Sequence, residues 1–252
     1  MIFFVALRKE LTEQWRTYRL LIVAAVLIIF GLTSPLLAKL TPELLRLIPG
    51  SEELVTLMPQ PTAVDAVAQY VKNLGQFGVL LALLMAMGAV AQEKDKGTAS
   101  IMLVKPLPRW AFLAAKFAAL ALTFAVSIAL AAAAGYFYTL LLFEAMDTIR
   151  WLALNGLLLV FMLVYVALTL FCSTLTKSQV TAAALAFSLV IVLLGLGAIP
   201  PVARVLPNQL VTWGAALMVG SAGTDWSALW VSLGMILAAL VGAWVVFERQ
   251  EL

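Results

Sequence analysis

Six stretches of this chain run for close to twenty residues or more without a charged side chain: Leu20–Ala38, Leu74–Gln92, Phe117–Phe143, Trp151–Thr176, Ser178–Ala203 and Trp226–Phe247. About 20 apolar residues in a helix cross roughly 30 Å of hydrocarbon, so each stretch is long enough to be a span. Inside hydrocarbon every backbone N–H and C=O must find its partner within the protein, and a helix meets that demand within one segment. Composition agrees: 64% of the 252 residues are apolar, 12% are charged, and mean hydropathy is +1.06. A soluble domain would carry about 45–50% and about 25%. The predicted fold class is an all-α membrane protein with six transmembrane helices, forming one domain over residues 1–252.

The side-chain inventory removes whole classes of chemistry. Histidine is absent and Cys172 is the only cysteine. A His–Cys zinc site, a Ser–His dyad and a histidine-ligated haem therefore cannot be built from this chain alone, nor can an internal disulfide. No metal and no cofactor is expected on the chain itself. These 252 residues contain no GxxxxGK[ST] phosphate loop, and no nucleotide-binding domain is expected among them. Its basic residues are better explained by membrane topology than by nucleic acid.

Placing both termini in the cytoplasm puts eleven of the sixteen Lys and Arg residues on the inner side and five on the outer, the bias that the positive-inside rule demands. Residues 1–19 are not expected to be a secretion signal, because charges fill their middle. Phe4, Leu7, Leu11, Trp15 and Tyr18 recur at helical spacing on one face, and Arg8, Lys9, Glu10, Glu13 and Arg16 take most of the rest. That pattern predicts an amphipathic helix in the headgroup plane, or one packed on a partner. Residues 39–73 carry Pro42, Pro49, Pro59 and Pro61 among short amphipathic pieces, Pro42–Leu47 and Thr62–Val71, and predict an extracellular cap with two short helices. Residues 204–225 are rich in Gly, Pro and polar groups and predict a re-entrant or interfacial segment before the sixth span. The run Ala129–Gly135 is read as a close helix–helix contact made by small residues.

The loop between spans two and three, residues 93–109, is the most specific feature. Gly97 suits a left-handed helix stop and Thr98 can cap a new helix. Lys105 precedes Pro106, which ends that helix after one or two turns. The result is a short helix, Ala99–Val104, carrying Ile101, Met102, Leu103 and Val104 between breakers. Arg109 and Trp110 are placed at the interface, and Lys116 is expected to snorkel toward it. The apolar residues of the short helix could dip into lipid or dock on a partner, and the residues alone leave both open.

This stretch resembles the coupling-helix signature of the ABC-2 permease family, the membrane subunits of ABC transporters. The pattern E-x-E-x-G-T, apolar residues, P-x-x-R and a following Lys is present as Glu93, Asp95, Gly97, Thr98, then Ile101, Met102, Leu103, then Pro106, Arg109 and Lys116, with Asp95 in place of the second Glu. The Arg8–Leu11 run, with Lys9, Glu10 and nearby Trp15, is similar to the family's elbow helix, and an S-x-L-x-K-S turn, Ser173–Ser178, follows span four. The resemblance implies a half-transporter in the plasma (inner) membrane. It would pair with a second permease subunit, identical or not, and seat its coupling helix in a separate ATP-binding subunit that carries ATP and Mg. It also implies that Glu93 and Asp95 pair with basic residues of the elbow helix and that Arg109 anchors the loop to phosphates or to the ATPase. Export is the implied direction. The charge-free spans hold no ionisable group, which also argues for an external energy source. The competing reading from another class is a passive channel or membrane scaffold without an ATPase. The substrate is not legible: the spans hold polar groups, for example Thr123, Ser127, Tyr136, Tyr138, Thr169 and Ser188, and packing explains such residues as well as binding does.

Overall fold

In a computed structural model of the chain, the described residues are 2–49, 59–97, 108–221 and 225–250. Among them the secondary structure is helical: α1 Ile2–Arg16, α2 Arg19–Arg46, α3 Ala63–Ala86, α4 Ala91–Asp95, α5 Arg109–Leu142, α6 Thr148–Leu175, α7 Gln179–Leu196, α8 Pro200–Ala203, α9 Asn208–Val219 and α10 Trp226–Glu248. Six of these segments are long and apolar enough to cross a membrane, with α3 and α4 counted together as Ala63–Asp95. This is a multi-pass membrane protein.

The helices overrun the charge-free stretches. First, α2 continues to Arg46 with Pro35 and Pro42 inside it, so the separate short helix expected at Pro42–Leu47 is the outer end of the first span. Neighbouring helices satisfy the backbone groups that a proline frees, which lets a buried helix carry residues that would break a solvated one. The expected piece Thr62–Val71 is likewise the start of α3, where the Thr62 N–H donates to Asp65 Oδ2 at 2.8 Å. The rest of the expected cap, residues 50–58, lies outside the described residues. The fifth span is shorter than its charge-free run: α7 stops at Leu196, ahead of Gly197 and the Pro200–Pro201 pair. Residues 204–225 hold α9, with a left-handed Gly220 (φ 75°) at its end, and residues 222–224 lie outside the described residues.

Burial shows which spans form the centre. In α6, 61% of the most apolar window is buried, against 11% in α7, so α6 is the hub and α7 lies at the periphery. Around α6 pack α3, α5, α7, α9 and α10, and α2 lies between α3 and α5. The α2–α5 crossing is set by small residues. A Cβ added at Gly31 would sit 2.7 Å from the Ala131 carbonyl oxygen, and one at Gly135 would meet the Gly31 carbonyl at 3.3 Å. Backbones can approach this closely only where side chains are missing, as the Ala129–Gly135 run predicts.

Polar residues fasten the same helices. Tyr70 donates to Asn155 Oδ1 at 2.6 Å, Asn73 to Ser34 Oγ at 3.0 Å, and Trp151 Nε1 to the Ala132 carbonyl at 3.1 Å. Each bond joins two helices, and in membranes such bonds contribute about 0.6 kcal/mol on average. Thr123, Ser127 and Thr169 are buried in packing, and Tyr136 is engaged with Thr148 at 2.7 Å.

Candidate functional site

The Gly31–Ala131 contact also fixes a register. Counting back along both helices brings Arg19 level with about Ala119, so the first ten or so residues of α5 extend past the start of α2. At ~1.5 Å per residue this overhang is about 15 Å long. It leads directly out of the loop whose short helix was read above. Thr98, Ile101, Met102, Leu103 and Pro106 of that loop lie outside the described residues. The residues that root it on either side are described, and they converge.

Lys116 sits on the overhang with its side chain 4% exposed, and it does not snorkel. Its Nζ lies 2.7 Å from Glu93 Oε1 and 3.2 Å from both Glu10 carboxylate oxygens. Glu10 and Glu93 are themselves only 12% and 15% exposed. A lysine held this far from water requires a carboxylate partner, and it has two. The Lys116 ammonium also lies 4.9 Å from the Phe112 ring centroid. Lys9 completes the cluster, with its Nζ 3.3 Å from Glu93 Oε1, 3.2 Å from Glu10 Oε1 and 3.8 Å from Glu13 Oε2. Burial alone would depress the Lys9 ammonium, but the Glu10 and Glu93 carboxylates more than offset it and hold it above the usual lysine value. A raised value means that this contribution to stability is complete below the free lysine value and is lost only as pH climbs through the raised one. Lys9 therefore stays charged throughout the neutral range. One turn further along α1, Gln14 meets Thr123.

Second, the loop is rooted on two helix ends. The helix of the second span breaks at Met87–Val90, and Ser173 bridges the break, accepting from the Val90 and Ala91 N–H groups at 3.1 and 2.9 Å and donating to the Met87 carbonyl at 2.8 Å. Lys94 in α4 donates to the Thr174 carbonyl at 2.8 Å and to Gln250 Oε1 at 2.9 Å. Arg109 Nη1 donates to the carbonyls of Phe247, Glu248 and Gln250 at 2.6, 2.8 and 3.0 Å. Both cations thus satisfy carbonyls that a helix C-terminus leaves open, at its negative end. Lys94 does so for α6 and Arg109 for α10. Gly97 takes the left-handed backbone expected of it (φ 66°).

The site residues read from the sequence divide accordingly. Lys9, Glu10, Glu93, Lys116 and Arg109 come together around the base of the loop. Asp95 is exposed and, among the described residues, has no ion pair. Arg8 and Trp15 point away from the cluster and are exposed. Lys94 and Ser173 were not singled out, although Ser173 belongs to the S-x-L-x-K-S turn. Their roles depend on the ends of α4, α6 and α10 coming together, which spacing along the chain does not reveal. Because α5 begins at Arg109, Lys116 falls inside the helix of the third span, so that helix does carry an ionisable group. The expected absence of buried charge therefore gives no argument about energy source.

Residues 5–211 match the model of a family described as "ABC-2 family transporter protein". Over 260 aligned residues the chain is 26% identical to the "Uncharacterized transmembrane protein YxlG" of Bacillus subtilis (strain 168), an alignment covering 99% of this chain and 98% of that relative.

Proposed function

Because this chain belongs to the ABC-2 family of transporter proteins, we propose that it is the membrane-spanning permease subunit of an ATP-driven exporter, powered by a separate ATP-binding subunit. The chain supplies the spans, and ATP and Mg belong to the partner. Two permease subunits pair to enclose the pathway, with both termini in the cytoplasm of the plasma (inner) membrane. The short helix Ala99–Val104 is the coupling helix and α1 the elbow helix. Residues 204–225 form the re-entrant segment before the last span.

One observation carries the reading: the anchors that flank the 98–107 loop tie it to three different helices. Lys94 holds the end of α6 and Arg109 the end of α10, while Glu93 and Lys116 hold α1. A displacement of the loop is therefore passed to α1, α6 and α10 together, as a subunit driven from outside the membrane requires. A passive channel or scaffold has no use for such a linkage.

Charge reversal at Glu93 tests this. Glu93→Arg places a third cation beside Lys9 and Lys116, and it is expected to abolish stimulation of the partner's ATP hydrolysis and to weaken assembly. The milder Glu93→Gln keeps a hydrogen-bond acceptor and is expected to fold normally with a several-fold loss of stimulation. If both variants assemble and stimulate hydrolysis like the parent, Glu93 has no part in coupling.

A further inference from the structure

Three sectors divide α1 when its residues are laid out at about 100° each. Glu10, Glu13 and Gln14 face the protein, where Lys9, Lys116 and Thr123 meet them. Phe4, Leu7, Leu11 and Trp15 form a strip beside that sector, and Phe4 and Trp15 are 70% and 61% exposed. Beyond the strip lie Arg8, Thr12, Val5 and Arg16, all exposed, and among the described residues neither arginine is in an ion pair. Glu10 is thus turned inward, Glu13, with 42% of its side chain exposed, is drawn to Lys9, and both arginines face outward. Phe4 and Trp15 are exposed at the two ends of the strip, with Leu7 and Leu11 partly exposed between them, and α1 joins the first span within three residues of Arg16, which sets this strip against acyl chains. With the strip set into the membrane, the neighbouring arginine sector falls at headgroup depth.

The geometry points to α1 as a recognition surface for anionic phospholipid, with Arg8 and Arg16 as phosphate ligands. The arginine fork donates in parallel to phosphate oxygens, so the pair is suited to two headgroups of one leaflet. The preference is electrostatic and lies near the surface, so it fades as salt rises. It does not depend on an ATPase and survives or fails separately from the coupling function.

The test uses the full chain in micelles doped equally with phosphatidylglycerol and phosphatidylcholine, with retained lipid read by native mass spectrometry. The parent is expected to retain phosphatidylglycerol in roughly ten- to thirty-fold preference at low salt. The double variant Arg8→Gln/Arg16→Gln is expected to lose that preference and Arg8→Lys/Arg16→Lys to keep most of it. Arg46→Gln, at the opposite end of α2, is expected to change nothing. An undiminished preference in the glutamine variant overturns the assignment. So does a lysine variant that loses as much as the glutamine one, or a parent that retains both lipids equally.

Discussion

Replacing Lys116 with methionine is expected to destabilise the protein by about 3 kcal/mol, at the low end of what breaking a buried ion pair costs. An exposed pair would contribute only about 0–1 kcal/mol. The 4% exposure of the Lys116 side chain and the 12% and 15% exposures of its partners decide which figure applies. Methionine fills similar volume, so the loss comes from two carboxylates left in a poorly solvated site. Lys9 remains beside both, with 38% of its side chain exposed, and this keeps the loss from being larger. Thermal unfolding in detergent is expected to show a fall of roughly 6–12 °C. The triple variant Lys116→Met/Glu10→Gln/Glu93→Gln removes charge from both sides and should recover most of it. A single variant that melts with the parent would mean that the cluster is solvated and contributes as a surface pair does.

The second large effect concerns the loop. Changing Ile101 and Leu103 to aspartate is expected to weaken assembly with the ATP-binding subunit by roughly 100-fold or more, because each substitution replaces an apolar anchor worth ~1.5–3 kcal/mol with a charge that must be desolvated. ATP-driven transport should be lost, while the unfolding temperature of the isolated chain is expected to stay at the parent value. If the helix lay in lipid instead, the same substitutions would leave assembly intact.

The fold was legible where the physics is one-dimensional. Each span announces itself by lacking charge, since hydrocarbon excludes charge whatever the neighbours are. The lengths of the helices were not legible in the same way. Pro42 reads along the sequence as the start of a separate short helix, but α2 runs on through it to Arg46. Lys116 illustrates the limit for the site. As the first residue before an uncharged run it has the pattern of an interfacial lysine, and only the return of α1 brings Glu10 to it. The signal that could have shown this was the Glu10–Gln14 pair one turn apart on α1, a polar stripe flanking the apolar strip of an amphipathic helix. Arg109 was expected to hold phosphate or a partner, and it instead closes the open carbonyls of α10, which have no signature in sequence. The loop motif itself was readable because it is a pattern of residue types at short range.

Docking of the 98–107 loop on an ATP-hydrolysing subunit is read out by a photo-reactive side chain introduced in place of Met102 in the intact membrane. A crosslink to an ATP-binding subunit, changing in yield when nucleotide is bound, is the expected result. Capture of phospholipid alone, in membranes where the transporter is working, would contradict it.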